Sequence, residues 1–245
     1  MGNKNRNGHA DLSTTGFKSR IKKAEKVLER IVASENITIG EGEFSILEIG
    51  CGSGHLSHLF ATSFPNCRVI ATDIVNRVQV NLPNNCSFSC VKPQENFPFS
   101  DTKFDLVIMN QVLEHVHPED RDKLFQEILK VLKKNGKLWI AFPNKYSLIE
   151  PHYYIPGLSI FPKKIADKIL KILKQGDQYD CFPLSVRTSD QFLSKYFSRV
   201  ENETLGTIFF LLRISRTVKS IPKRLSGASI FSPTLIYVAS HPHEK

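Results

Sequence analysis

The chain has 245 residues, 41% hydrophobic and 23% charged, which is typical of a globular protein that buries a sizeable core. No run of about 18 apolar residues and no apolar secretory segment occurs, so we expect a cytoplasmic protein without membrane spans. The net charge of +9 is concentrated in the last 95 residues, which hold 14 Lys and Arg against 7 Asp and Glu. Such a basic part is either solvated or faces an acidic partner.

The first elements along the chain predict an α/β fold. Residues 1–16 lack apolar periodicity and are expected to form a disordered tail, whereas Phe17 to Ile37 has the apolar spacing of a helix. Helical segments then alternate with four strand-like runs, Ser45–Ile49, Arg68–Thr72, Phe104–Met109 and Lys137–Phe142. This alternation predicts a parallel sheet with right-handed crossovers and helices on both faces.

A single domain is expected over residues 17–245. Its core is residues 17–145, followed by an inserted segment, residues 146–187, that could close over the site as a lid. Residues 188–245 return to strand-like sequence and contain a basic insertion at 208–226. Within the core, a helix beginning near Pro118 is expected to end in a left-handed turn at Asn135-Gly136.

The glycine-rich segment Glu48 to Gly54 carries the main functional signal. It follows a buried strand and precedes a helix near His55, so the chain can turn sharply, approach a ligand closely and offer amides at the helix start. Asp73 ends the next strand, where a carboxylate can accept hydrogen bonds from ribose hydroxyls. A nucleoside site is favoured over a purely structural turn. The third glycine of a dinucleotide-binding motif is replaced by His55.

Residues 44–145 resemble the class I methyltransferases of the ubiquinone and menaquinone type. The resemblance rests on a series of matches: Ile46-Leu-Glu-Ile-Gly-Cys-Gly-Ser-Gly54, Phe97-Pro-Phe99, Phe104-Asp-Leu-Val107, Val112-Leu-Glu-His-Val116 and Leu129-Lys-Val-Leu-Lys133. It implies a Rossmann-like, seven-stranded, mostly parallel sheet with an antiparallel last strand, and S-adenosyl-L-methionine as the cofactor.

The resemblance also implies a cofactor-binding set. The glycine loop would lie near the methionine moiety, Asp73 on the ribose and Ile74 against adenine. Where many relatives have an acidic residue that accepts from the adenine amine, this chain has Pro93. The full set is Glu48, Gly50, Cys51, Gly52, Gly54, Asp73, Ile74, Glu95, Asn96 and Asn110. Glu95 and Asn96 are alternatively solvated loop residues, and Asn110 is alternatively a turn residue.

His115 and His152 are the candidate general bases, which only a hydroxyl acceptor would need. His115 follows the fourth strand, where sites in open sheets gather, but it could instead hydrogen-bond backbone. His152 belongs to the inserted segment, together with Tyr153, Tyr154, Tyr179 and Asp180. No metal site is expected. His117, His241 and His243 are interpreted as solvated, and Cys86 and Cys90 as buried thiols.

The expected reaction is methyl transfer to an oxygen or nitrogen of a small-molecule or lipid-linked acceptor. An RNA methyltransferase and a non-catalytic nucleoside-binding protein are the alternatives, the former supported only by the basic C-terminal part. The segment Lys163 to Lys174 joins an apolar face to five lysines. It could therefore lie peripherally on an anionic membrane surface or simply pack on the sheet.

Overall fold

The computed structural model describes residues 14–32, 34, 43–92, 95–99, 102–205 and 232–243. Seven strands form one sheet: β1 (Phe44–Ile49), β2 (Cys67–Asp73), β3 (Cys86–Cys90), β4 (Phe104–Asn110), β5 (Leu132–Pro143), β6 (Phe197–Asn202) and β7 (Thr234–Pro242). Their spatial order is β3-β2-β1-β4-β5-β7-β6. β1 to β5 pair in parallel, and β7 is antiparallel to β5 and β6. The predicted α/β class and the antiparallel last strand are confirmed.

Five helices accompany the sheet: α1 (Thr14–Val32), α2 (His55–Ser63), α3 (Pro118–Val131), α4 (Lys163–Ile172) and α5 (Val186–Leu193). Successive strand residues point to opposite faces, which gives the sheet two cores. Ile46 faces the core formed with α1 and α2, and Leu47 faces the core formed with α3 and α5. The described part contains no helix with the length and apolar character needed to cross a membrane.

Two predicted boundaries are wrong. α1 begins at Thr14, inside the predicted tail, and ends at Val32 rather than at the predicted Ile37, with Ile31 buried and Val32 exposed. Asn135 and Gly136 lie within β5, and neither has a positive φ. A Cβ atom on Gly136 would lie 2.8 Å from the carbonyl oxygen of Phe104. Glycine is therefore needed there for close strand packing.

The inserted segment has a small hydrophobic core of its own. Ile155, Leu158, Ala166, Leu170, Tyr179 and Cys181 form this cluster. The inserted segment was predicted to end at residue 187, but residues 186 and 187 belong to α5. The Ser185 side chain caps the first turn of that helix. The predicted tail residues 1–13 and the basic insertion 208–226 lie outside the described residues.

Candidate functional site

The carboxyl ends of three neighbouring strands bring most of the predicted cofactor-binding residues to one edge of the sheet. β1 lies between β2 and β4, with Ile49 paired to Thr72 on one side and to Met109 on the other. The glycine loop that follows β1 is therefore flanked by Asp73 and Asn110, the last residues of β2 and β4. This is the edge at which ligands bind in open α/β sheets.

Three glycines of this loop have left-handed backbone, with φ of 75° at Gly50, 55° at Gly52 and 79° at Gly54. A Cβ atom on Gly50 would lie 2.3 Å from a Val112 methyl group, and one on Gly54 would lie 3.1 Å from Val78. At Gly52 no atom lies within 4 Å of that position. Gly50 and Gly54 thus serve packing, whereas Gly52 leaves an open surface at the edge.

The amides of the loop are already used within the protein. Gly50 and Cys51 donate to the carbonyl oxygen of Thr72 at 2.7 and 2.9 Å, and Gly52 donates to Asp73 Oδ2 at 2.8 Å. These three amides therefore bind within the protein. The predicted role of the amides at the start of α2, to hold a carboxylate or phosphate, stays a prediction.

Asp73 and the residues after it combine a carboxylate with an apolar surface. Asp73 Oδ1 accepts from the Ile74 amide at 2.7 Å. Each carboxylate oxygen of Asp73 therefore has one donor and keeps the capacity to accept another. Ile74 and Val75 are half exposed. Asp73 thus offers hydrogen-bond acceptors for hydroxyls next to the apolar surface of Ile74 and Val75.

Glu48 links β1 to the start of α2. Its buried carboxylate accepts from the Ser57 hydroxyl and the Ser57 amide. Burial raises the pKa of Glu48 to about 7, against the lowering effect of these hydrogen bonds. Burial thus favours the protonated form of this carboxyl. The neighbouring Cys51 thiol is also buried, and burial raises its pKa strongly.

Glu95 and Asn96 both have exposed side chains that contact lysines. Glu95 accepts from the Lys92 amide at 3.0 Å, and Asn96 accepts from Lys123 Nζ at 2.6 Å. These contacts tie them to the segment after β3 and to α3. Their cofactor role stays a prediction, and Pro93 lies outside the described residues.

The two candidate bases lie side by side. His115 ends a 3-10 turn after β4, His152 comes from the inserted segment, and their ring centroids are 5.0 Å apart. His152 Nδ1 is 2.9 Å from Glu150 Oε1. Glu150 Oε2 also accepts the amides of His152 and Tyr153, each at 2.7 Å. The Glu150 carboxylate therefore fixes the His152 ring, and a hydrogen on Nδ1 leaves the lone pair on Nε2.

Glu114 is the buried acid beneath this pair. Its Oε1 lies 3.7 Å from His152 Nε2 and 4.0 Å from His115 Nε2. Neither carboxylate oxygen receives a hydrogen bond from a described residue. Burial raises the pKa of Glu114 to about 7, although its own backbone amide and His152 act to lower it. Burial thus favours the protonated form of the Glu114 carboxyl beside the two imidazole rings.

Cys181 completes the cluster, with its Sγ 3.8 Å from Nδ1 of both His115 and His152. These three donor atoms lie within 4.8 Å of one another, so they could hold a transition metal ion. The sequence predicts no metal because the three residues come from separate segments without ligand spacing. The Glu150 contact at Nδ1 would have to be shared with such an ion.

Arg121 is a structural residue that the sequence pattern does not reveal. Its buried guanidinium donates to the carbonyl oxygens of Val116 and Leu113, each at 3.1 Å, and to that of Phe182 at 2.5 Å. Burial lowers the pKa of Arg121 to about 10. One side chain of α3 thus joins the turn that carries His115 to the end of the inserted segment.

The other flagged histidines lie apart from this cluster. His117 is 3.7 Å from Glu119, His241 is 3.1 Å from the Ser240 hydroxyl, and His243 is 3.2 Å from the Ser194 carbonyl oxygen. Their solvated interpretation stays a prediction.

Two cysteines and three tyrosines complete the predicted residues. Cys86 is buried as expected, but Cys90 at the end of β3 is exposed, so that prediction is wrong. Tyr153 donates to Asp180 at 3.1 Å, whereas Tyr154 is exposed and Tyr179 is buried.

Comparison with protein families identifies a methyltransferase domain over residues 46–136. The chain is 29% identical to an uncharacterized protein of Methanocaldococcus jannaschii, over 75% of this chain and 72% of that protein. It is 29% identical to the malonyl-[acyl-carrier protein] O-methyltransferase of Hahella chejuensis, over 38% of this chain and 34% of that enzyme. It is also 29% identical to a tRNA N(3)-cytidine methyltransferase of Gallus gallus, over 44% of this chain and 32% of that enzyme. The match thus spans about a third of each named enzyme.

The fold also occurs among solved structures. A methyltransferase solved in complex with the Haloferax volcanii Trm112 methyltransferase activator superposes with a TM-score of 0.57, at 15% identity, over 99% of this chain and 100% of that one. At this identity the likeness concerns the fold alone. It covers the inserted segment as well as the sheet.

Proposed function

We propose that the chain is a class I S-adenosylmethionine-dependent methyltransferase, and that it transfers the methyl group to an oxygen or nitrogen of a small-molecule or lipid-linked acceptor. The observation that carries this proposal is the cluster formed by His115, His152 and Glu114. It lies after β4, near the carboxyl edge that holds the glycine loop.

The residues at the edge fit the cofactor. S-adenosylmethionine supplies a methyl group already activated on a sulfonium centre. Gly52 leaves open space, Asp73 retains acceptor capacity for hydroxyls, and Ile74 presents an apolar face. A nucleoside with a cationic substituent suits this acidic edge better than a diphosphate does, because the loop amides at positions 50–52 are already used.

The histidine cluster is suited to take a proton from an acceptor. Glu150 holds the ring of His152 so that Nε2 is the proton-accepting atom, and Glu114 lies beside that atom. Two imidazoles and a carboxyl group that titrates near neutrality allow a proton to be received at working pH. The main requirement left to the protein is to align the acceptor and exclude water, and the inserted segment is the element that can do both.

Cofactor binding is tested by calorimetry with S-adenosylmethionine. Asp73→Ala should weaken binding about 5- to 30-fold, because a lost hydrogen bond in the site costs about 1 to 2 kcal/mol. Asp190→Ala, in α5, is the control and should bind as the wild type does. Unchanged affinity of the Asp73 variant would remove the assigned site.

The acceptor class is tested by following a radiolabelled methyl group into fractions of a cell extract. We expect label in the lipid or the small-molecule fraction and none in RNA. His152→Gln should slow this transfer with cofactor affinity retained, whereas the exposed control His117→Gln should not. Label in RNA alone would favour the nucleic acid alternative. Cofactor binding without labelling of any fraction would favour a binding protein.

A further inference from the structure

The inserted segment carries a concentration of exposed apolar side chains. Of the twelve large hydrophobic residues exposed in the described part of the chain, nine lie between positions 146 and 173. We call this set the insertion surface; it consists of Tyr146, Leu148, Ile149, Tyr154, Ile160, Phe161, Ile165, Ile172 and Leu173. Three of its members, Leu148, Tyr154 and Ile172, are 70% to 78% exposed. Apolar residues grouped in this way mark an interaction site.

Helix α4 shows that the exposure is not a by-product of core packing. Ala166 and Leu170 are fully buried in the cluster of the inserted segment. Ile165 and Ile172, seven residues apart and therefore on one face, point away from that cluster and are exposed. The apolar stripe of the helix is thus covered along one edge and exposed along the other.

Lysines lie beside the exposed edge of this apolar stripe. Lys164, Lys168, Lys171 and Lys174 are all exposed. The acid of the same helix, Asp167, accepts the backbone amide of Tyr179 at 2.6 Å. The exposed side of α4 is therefore apolar and cationic. A second copy of this chain would bring like charges together in a face-to-face contact, which disfavours that occupant.

We propose that the insertion surface binds the anionic face of a lipid bilayer, an inference that rests on the proposed lipid-linked acceptor. Isoleucine, leucine, phenylalanine and tyrosine side chains enter the boundary between headgroups and acyl chains, while lysines along the same helix attract anionic lipid. Tyr154 and Leu148 flank His152 in the sequence. Binding through this surface therefore holds the histidine cluster close to the headgroup region.

The first test measures sedimentation with vesicles of phosphatidylcholine alone and of phosphatidylcholine with phosphatidylglycerol. We expect binding to the anionic vesicles that declines in high salt. The triple variant Lys164→Glu, Lys168→Glu, Lys171→Glu should bind at least about 100-fold more weakly, since each lysine near the surface contributes a factor of about 5. The control carries the same charge change in the exposed lysines of α1, as Lys22→Glu, Lys23→Glu, Lys26→Glu, and should bind as the wild type does.

The second test separates the apolar contribution. Ile172→Asp should weaken vesicle binding, whereas Val32→Asp, at an apolar and half-exposed position at the end of α1, should not. No sedimentation of the wild type at low salt would overturn the proposal. Equal losses in the α1 and α4 variants would also overturn it.

Sedimentation velocity without vesicles checks the alternative occupant. A wild-type dimer that Ile172→Asp converts to a monomer would assign the surface to self-association instead. Retained binding of S-adenosylmethionine shows that each variant is folded. Methyl transfer to a detergent-dispersed lipid extract is measured separately, so that a failure of membrane binding is distinguished from a failure of the proposed reaction.

Discussion

Replacing Gly52 with alanine isolates the contribution of the open glycine loop to cofactor binding. Gly52 has a φ of 55°, and an added Cβ atom would meet nothing within 4 Å in the protein. Without cofactor, the substitution should therefore lower the free energy of unfolding only by the strain of alanine in left-handed backbone, about 1 to 2 kcal/mol. Gly157, before the 3-10 turn in the inserted segment, has a φ of 65°, and its nearest contact would be Ile160 at 3.9 Å. Gly157→Ala thus carries the same strain away from the loop.

The two variants should differ in cofactor affinity but not in stability. A methyl group forced into a filled site costs about 1 to 3 kcal/mol, so Gly52→Ala should raise the dissociation constant for S-adenosylmethionine about 5- to 150-fold. Gly157→Ala should leave it unchanged. Calorimetry gives the affinities, and urea unfolding gives the stabilities. Wild-type affinity in Gly52→Ala would refute the placement of the cofactor in front of this residue, and equal losses in both variants would assign the effect to strain.

Three further predictions follow from buried groups. The pKa of Glu48 in the folded state is raised from 4.5 to about 7. The wild type should therefore lose stability as the pH rises through that interval, by about 3 kcal/mol relative to Glu48→Gln. Urea unfolding of both proteins below and above the interval measures this loss, and the same dependence of unfolding free energy on pH in both would contradict it. Gly50→Ala should unfold at lower temperature than the wild type, because its Cβ atom would lie 2.3 Å from Val112. Adding Val112→Ala should restore part of the lost stability. Additive effects of the two substitutions on stability would contradict the packing argument. Arg121→Met should remove a donor from the carbonyl oxygens of Val116 and Phe182, whereas that of Leu113 keeps the Val116 amide at 3.2 Å. The expected cost is about 1 to 3 kcal/mol for each acceptor left buried without a partner. Limited proteolysis should then cut the inserted segment faster, and unchanged cleavage would contradict the role of this arginine.

Local signals account for what the sequence predicted correctly. The strand, glycine loop and helix from Phe44 to Ser63 are consecutive in the chain, so period, glycine spacing and helix start are all visible in one short window. The same holds for Asp73, because the residue ending the second strand must reach the same edge as the loop. The position of the glycine loop and Asp73 at the carboxyl edge of the sheet was therefore predictable without knowledge of distant contacts.

Residues whose partners are remote could not be predicted in this way. The position of His152 beside His115 depends on Phe182, whose amide donates to the Glu114 carbonyl at 2.7 Å and whose carbonyl accepts from Arg121. None of these contacts has a fixed sequence spacing. The hydrogen bonds of the Gly50 and Cys51 amides could not be predicted for a related reason. Their acceptor, the Thr72 carbonyl oxygen, belongs to the neighbouring strand.

The distribution of charge connects the proposed reaction to the proposed surface. The edge of the sheet and the histidine cluster contain Glu48, Asp73, Glu114 and Glu150, whereas the exposed side of α4 contains only lysines among its charged residues. A cationic cofactor is favoured at the first region, and an anionic bilayer at the second. Glu150 connects the histidine cluster to the insertion surface. It contacts His152, and the same segment contains the exposed residues Leu148 and Tyr154. A lipid-linked acceptor held at that bilayer would therefore lie next to the segment that contains His152.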